Sequence, residues 1–279
     1  MIMKTKLLIA LLLIALTSSA ATKVKTQRFE VRDSIYLVDK EDPEGIGFKF
    51  NKTFVVNWPV SVNGVKSKAL NKFLLDSLFG AYQHRDIYTT YSDDVNVLKG
   101  YVSKGVHRAL IEHNMAQEYT IRDAANKPNI DFAENPMSCW YEDMEFKVNR
   151  TFGDIVFFSA YYDDYYGGAH NMFFTVYHAF DTKLDKPISL KDIITSPKKL
   201  LRMLPKYDSR DAESKWWNQV DVEQLDNFYL KDGKMIFSFS PYAVGPFCDG
   251  QVEVPVPLKT LNAKGLLTTY GKKLLTVKK

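Results

Sequence analysis

The chain has almost no cysteine: two residues, Cys139 and Cys248, in 279. That excludes a disulfide-stapled scaffold and leaves room for one bridge in an oxidising compartment. Such a bridge would close a loop of about a hundred residues, worth roughly 4–5 kcal/mol on a chain-entropy model. Two free thiols are the other reading. No segment holds 18 apolar residues in a row, so no stable membrane span is expected. Neither sign of charge dominates. Lysine plus arginine total 37, aspartate plus glutamate 33, and the two signs are interspersed. A dense basic patch for nucleic acid is therefore missing. The chain also lacks a Gly-x-Ser-x-Gly elbow, a phosphate-cradling glycine loop and a dinucleotide fingerprint. Its five histidines form no cluster, so no catalytic residue, resident metal or cofactor is expected.

What is present begins at the N-terminus. Lys4 and Lys6 precede an apolar run from Leu7 to Leu16, followed by Thr17, Ser18, Ser19, Ala20 and Ala21. This is a positive segment, a short apolar segment and a small-residue cleavage zone, the form of a signal peptide. Ten helical residues span about 15 Å, half of a ~30 Å hydrocarbon core, which is too short for an anchor. Cutting before Ala21 makes residues 1–20 the signal peptide and leaves a periplasmic or secreted bacterial chain. Loss of Lys4 and Lys6 lowers the formal charge from +4 to +2.

Alternating apolar and polar residues predict strands over Gln27–Val38 and from Ile46 to Trp58, with Pro59 and Asn63-Gly64 as punctuation. Ser67 can cap a helix running to Phe79, since Leu70, Phe73, Leu74 and Leu78 share one face. A second helix is predicted from Asp93 to Glu118. The Pro- and Asn-rich stretch Ile121–Ser138 reads as irregular and divides the mature chain into segments 21–138 and 139–279. The second segment is strand-rich. Strands are predicted over 140–152, 154–162, 172–181, 228–230, 234–240 and 251–257, with Asp232-Gly233 as a hairpin turn and short helices between. Hairpins with clustered helices argue an α+β fold: two packed subdomains, mainly antiparallel sheet.

Two segments are unusual. Tyr161-Tyr162-Asp163-Asp164-Tyr165-Tyr166-Gly167-Gly168-Ala169-His170 joins two strands, and its glycines permit close approach of a ligand or of another backbone. Asp163, Asp164, His170 and His178 carry metal-ligating groups, but an extended strand sets the two histidines some 25 Å apart. The second segment, Ser240 to Gly250, holds two prolines and two glycines around Tyr242 and Phe247. Its aromatics either face a partner or plug the core.

Together these segments resemble the C-terminal ectodomain of RsiV-type anti-sigma factors. Tyr165-Tyr166-Gly167-Gly168-Ala169-His170 is similar to that family's signature. Phe180-Asp181, Ile188-Ser189-Leu190-Lys191-Asp192-Ile193, Phe228-Tyr229-Leu230, Ser240-Pro241-Tyr242, Gly245-Pro246-Phe247, Gly250 and Val252-Glu253-Val254-Pro255 follow in its order and spacing. The similarity covers about residues 155–260. Residues 27–120 look like the partner domain that precedes it, which also accompanies some polysaccharide deacetylases. The resemblance implies an extracytoplasmic binding or sensing role, the anti-sigma members binding lysozyme. This chain carries no sigma-binding segment, so binding rather than sigma control is implied. A lysozyme-like protein and peptidoglycan are the expected partners. Tyr166, Gly167, Gly168, His170, Tyr242 and Phe247 are the candidate binding residues. The alternative is a polysaccharide-modifying enzyme such as a deacetylase, which would need a metal held by histidines and an aspartate.

Overall fold

The computed structural model describes residues 22–39, 48–79, 119–122, 139–210 and 214–277, with a few positions between 94 and 104. The signal peptide predicted over residues 1–20 lies outside them, as does most of the helix predicted over 93–118, of which 96–97, 99–100 and 103–104 are helical.

Seven strands form the main sheet: β1 (Val24–Asp39), β2 (Phe48–Val62), β3 (Tyr119–Arg122), β4 (Cys139–Phe152), β5 (Ile155–Tyr165), β6 (Met172–Asp181) and β7 (Lys186–Ile188). Their spatial order is β3-β1-β2-β4-β5-β6-β7. Every pair is antiparallel except β2 with β4, which runs parallel from Lys49↔Cys139 to Val56↔Phe146. That pairing makes one continuous sheet of strands from before and after residue 138. A second, antiparallel sheet orders β10 (Val252–Pro257), β9 (Lys234–Phe239) and β8 (Phe228–Lys231). The fold is α+β, as the hairpin pattern predicts.

Two local expectations are corrected. Pro59 lies within β2 rather than ending it, at the bulge where the register slips between Lys25 and Thr26. The register pairs Pro59 with Thr26 and skips Val60, and proline within a sheet is confined to edges and to such bulges. Ile121 and Arg122, read as irregular, pair with Leu37 and Tyr36.

Each face of the sheet has its own core. On one lies α1 (Lys68–Phe79), whose start is capped by Ser67 Oγ accepting from the Leu70 N–H at 2.9 Å. Leu70, Leu74, Leu75 and Leu78 pack against Phe54, Val56, Trp58, Phe146 and Phe158. On the other face lie the second sheet and the short helices α2 (Leu190–Ile193), α3 (Pro197–Met203), α4 (Ser214–Trp217), α5 (Leu258–Ala263) and α6 (Thr269–Lys273), built around Phe157, Leu200, Phe237 and Val254. β5 is sandwiched between them, which is why its first six residues are all buried. Val156, Phe158 and Ala160 face α1, while Ile155 and Phe157 face the second layer.

Candidate functional site

The second layer stops short of the far end of β5. Phe157 faces that layer, and strand alternation puts Tyr161, Asp163 and Tyr165 on the same face. Register sets Tyr141 opposite Tyr165, Asp143 opposite Asp163 and Phe173 opposite Asp163. The result is a half-exposed floor of tyrosine rings and carboxylates. Tyr141 and Tyr165 stack with centroids 6.1 Å apart. Asp163 Oδ1 accepts from the Tyr141 hydroxyl at 3.2 Å and from Asn171 Nδ2 at 2.7 Å. Burial and the nearby Asp163 push the Tyr141 hydroxyl up to about 12. Burial also raises Asp143, against a hydrogen bond from Thr53.

A step rises beside this floor, where the loop between β9 and β10 meets the turn between β5 and β6. The His170 ring stacks on Phe247 at 3.7 Å, and Phe173 meets Phe247 edge-on at 5.8 Å. His170 Nδ1 donates to the Asn171 carbonyl at 2.9 Å, so in the neutral ring Nε2 accepts from the Tyr242 hydroxyl, 3.2 Å away. Tyr242 is 48 % exposed and has φ +69°. A tyrosine pays about 1–2 kcal/mol for that conformation.

Arg210 anchors the loop. It donates to Asp208 through Nε at 3.0 Å and Nη2 at 2.8 Å, to the Val244 carbonyl at 3.0 Å, and to Asp249 Oδ2 through Nη1 at 2.6 Å. Burial would raise the Asp208 carboxyl, but these bonds hold it below the usual range. A Cβ at Gly245 would come 2.7 Å from Arg210 Nη1 and push the Arg210–Asp249 pair aside.

The structure thus brings three of the six candidate residues, His170, Tyr242 and Phe247, into one cluster. Gly167 (φ +87°) and Gly168 (φ +99°) form the turn that returns the chain to β6, and the Gly168 carbonyl accepts from the Tyr165 hydroxyl at 3.0 Å. Tyr166 goes to the opposite face. There it packs edge-on to Phe50 and Trp140 and donates to Glu142, which pairs with the buried Lys52. Burial lowers the Lys52 pKa, and the Glu142 charge opposes that. Tyr166 therefore braces the turn from beneath.

Of the two readings the sequence left open for Cys139 and Cys248, a bridge or free thiols, the structure carries no bridge at Cys248. Cys248 is exposed with a free thiol. Its turn sits on Phe173 of β6, and Cys139 opens β4, two strands away. Asp163, Asp164, His170 and His178 are likewise dispersed. The two carboxylates alternate across the sheet, and His178 packs on Phe73 of α1. Among the described residues no three histidine, cysteine or acidic side chains are placed to share a metal ion.

Reading the sequence missed Tyr141, Asn171, Phe173 and Arg210. The 161, 163, 165 alternation signalled one tyrosine-bearing face, but Arg210 finds its loop partners 34 and 39 residues away, with no local sign.

Residues 181–259 match a family model described as a protein of unknown function, DUF3298. No curated protein matches the chain. The structure is similar to that of a DUF3298 family member from Bacteroides fragilis, with TM-score 0.56 and 18 % identity over 88 % of this chain and 95 % of that one. It is also similar to a DUF3298 family protein from Pseudomonas aeruginosa, with TM-score 0.50 and 14 % identity over 92 % and 98 %. At such identities the likeness concerns the fold. This chain thus shares its fold with solved DUF3298 proteins, and residues 181–259, from the end of β6 into α5, carry the family match.

Proposed function

We propose that the chain is an exported, non-catalytic binding protein of the cell envelope, and that its ligand is a cell-wall glycan held along the tyrosine floor against the His170–Tyr242–Phe247 step. One observation carries this reading. Flat rings (Tyr141, Tyr161, Tyr165, Tyr242) and hydrogen-bonding groups (Asp163, Asn171, His170) share one open surface. Pyranose rings present C–H faces that stack on aromatics and hydroxyls that pair with carboxylates and amides. The anchored loop supplies preorganisation, which lowers the entropic cost of binding.

A lysozyme-like protein is the second reading, favoured by the exposure of Tyr242 on a fixed loop, the form of a protein-interface anchor. The deacetylase alternative has no converging metal ligands among the described residues to support it.

Calorimetric titration of residues 21–279 with soluble peptidoglycan fragments, chitooligosaccharide and a lysozyme tests both readings. Saccharide binding that Tyr141→Ala and Tyr242→Ala each weaken about tenfold supports the glycan site. Lysozyme binding that chitooligosaccharide abolishes transfers the site to a protein ligand. Silence with all three ligands at high micromolar concentration rejects both.

A further inference from the structure

The end of the main sheet opposite the step is closed by a ring of hydrogen bonds among turns. The Lys23 N–H donates to Asn63 Oδ1 at 2.8 Å, and the Asn63 N–H donates to the Lys23 carbonyl at 2.7 Å. Ser67 Oγ donates to Asp185 Oδ1 at 2.6 Å. The Thr182 N–H and hydroxyl both donate to the Asp154 carbonyl, each at 2.9 Å. The Thr22 hydroxyl completes the ring at the Gly153 carbonyl, 2.7 Å away. The β2–α1, β6–β7 and β4–β5 turns and the start of β1 are thereby held as one platform. β5 leaves this platform at Ile155 and ends beneath the step at Tyr165, a rise of roughly 33 Å at about 3.3 Å per residue.

The platform carries two features that the fold itself does not use. Val65 and Leu184 are 66 % and 51 % exposed, the two most exposed large apolar side chains among the described residues. They sit on adjoining turns, because the Ser67–Asp185 bond joins the chain two residues past Val65 to the residue after Leu184. Around them Lys23, Lys66, Lys68 and Lys183 are exposed, against two exposed aspartates, Asp154 and Asp185, a net charge of +2. A fifth lysine, Lys186, pairs with Asp192 at 2.7 Å and is left out of that count. A single exposed apolar residue needs no explanation. Two aliphatic tips among lysines on a rigid frame are a pattern that interfacial membrane contact requires: basic groups for anionic headgroups, apolar tips for the acyl boundary. The chain before Thr22, with its apolar run Leu7–Leu16, also joins the fold at this end. While that run is attached, an exported chain presents this end to the bilayer it crosses.

We infer that this platform docks on the surface of a bilayer that contains anionic phospholipid. Lys23, Lys66, Lys68 and Lys183 meet headgroup phosphates, and Val65 and Leu184 enter the boundary between headgroups and acyl chains. Docking then holds the step roughly 30 Å out from the lipid, the length of β5, where an envelope polymer is within reach. The inference shares export with the proposed function and nothing of its ligand. Vesicle binding needs no saccharide, so the membrane contact and the glycan site succeed or fail separately.

The test is co-sedimentation of residues 21–279 with phosphatidylcholine vesicles, alone or with about one-third phosphatidylglycerol. Binding to the anionic vesicles should exceed binding to phosphatidylcholine about tenfold, and should fall about tenfold between about 0.05 M and 0.5 M salt. Lys23→Glu with Lys183→Glu should remove the preference for anionic vesicles. Val65→Ser with Leu184→Ser should weaken binding about tenfold and leave its salt dependence unchanged. All four side chains are exposed, so both double variants should keep the wild-type urea midpoint. Lys198→Glu with Lys199→Glu, an equal change of charge at exposed positions of α3, should alter binding less than twofold. Equal binding to both kinds of vesicle, or an equal loss from the α3 pair and the platform pair, would overturn the proposal. So would retention on heparin without vesicle binding, which marks a soluble polyanion. Self-association that Val65→Ser with Leu184→Ser removes, again without vesicle binding, would assign the platform to a second copy of the chain instead.

Discussion

Tyr242 occupies a backbone conformation that favours glycine, and it does so with its side chain exposed on the step. Strain held by surrounding contacts is the signature of a position kept for its side chain. Tyr242→Gly relieves about 1–2 kcal/mol of backbone strain but adds about 0.5–1 kcal/mol of unfolded-chain entropy. Stability measured by urea unfolding should therefore stay within about 1 kcal/mol, while ligand affinity falls tenfold or more. A large loss of stability would mean that the ring plugs the core instead. Lys52 poses the opposite problem. It is fully buried beside Glu142, with its ammonium 5.7 Å from the Phe54 ring centroid. Lys52→Met leaves Glu142 buried without its cation, and should cost about 3–5 kcal/mol in a urea titration. Lys52→Met with Glu142→Gln should recover most of that, because the desolvation penalty is then removed from both sides.

At the scale of the element, the edge of β6 is the instructive case. Gln251 takes the Thr175 N–H at 2.9 Å and gives to the Thr175 carbonyl at 3.1 Å. Asn227 takes the Tyr177 N–H and gives to the Thr175 and Ser238 carbonyls, at 2.9 and 3.0 Å. Two side-chain amides stand in for the missing neighbour strand and fasten the second layer to the first. Exposed strand edges invite pairing between molecules. Asn227→Ala should therefore raise the apparent mass in concentration-dependent light scattering, and should lower stability by about 1–3 kcal/mol for the buried groups it orphans. A strictly monomeric variant of full stability would refute that role. Element types were largely legible in the sequence. The leucine stripe of α1, the Asp232-Gly233 hairpin and the run Met172–Asp181 fall where periodicity and turn chemistry put them. Pro59 was misread because a bulge is a property of two strands, and one strand alone does not reveal it.

At the scale of the whole molecule, acid should weaken the fold. His178 has its pKa lowered from the ordinary 6.5 to about 4, so the folded state binds fewer protons than the unfolded chain between those values. Its contribution is intact above about pH 6.5 and is lost as pH falls toward 4, by roughly 3 kcal/mol. The carboxyls of Asp192 and Asp208 add to this at lower pH. Burial would raise both, but hydrogen bonds hold them down, and protonation in acid breaks those bonds. Urea midpoints at pH 7 and pH 4.5 measure the slope, and His178→Phe should flatten its upper part. An unchanged midpoint across that range would show that His178 titrates normally.

The sequence by itself determined the local structure: strand alternation, the capped helix, the turns and the apolar content for two cores. These depend on neighbours a few residues apart, where sterics and periodicity act directly. Its resemblance to RsiV-type ectodomains also singled out the Tyr165–His170 and Ser240–Gly250 segments. Only the tertiary structure decided that β2 and β4 run parallel, that Tyr166 and Tyr165 serve opposite faces, that Cys248 stays a free thiol, and that Arg210 holds the loop carrying Tyr242. Each of these is a contact across a long stretch of chain. Such contacts are selected by the packing of two layers on one sheet, and no local preference encodes them.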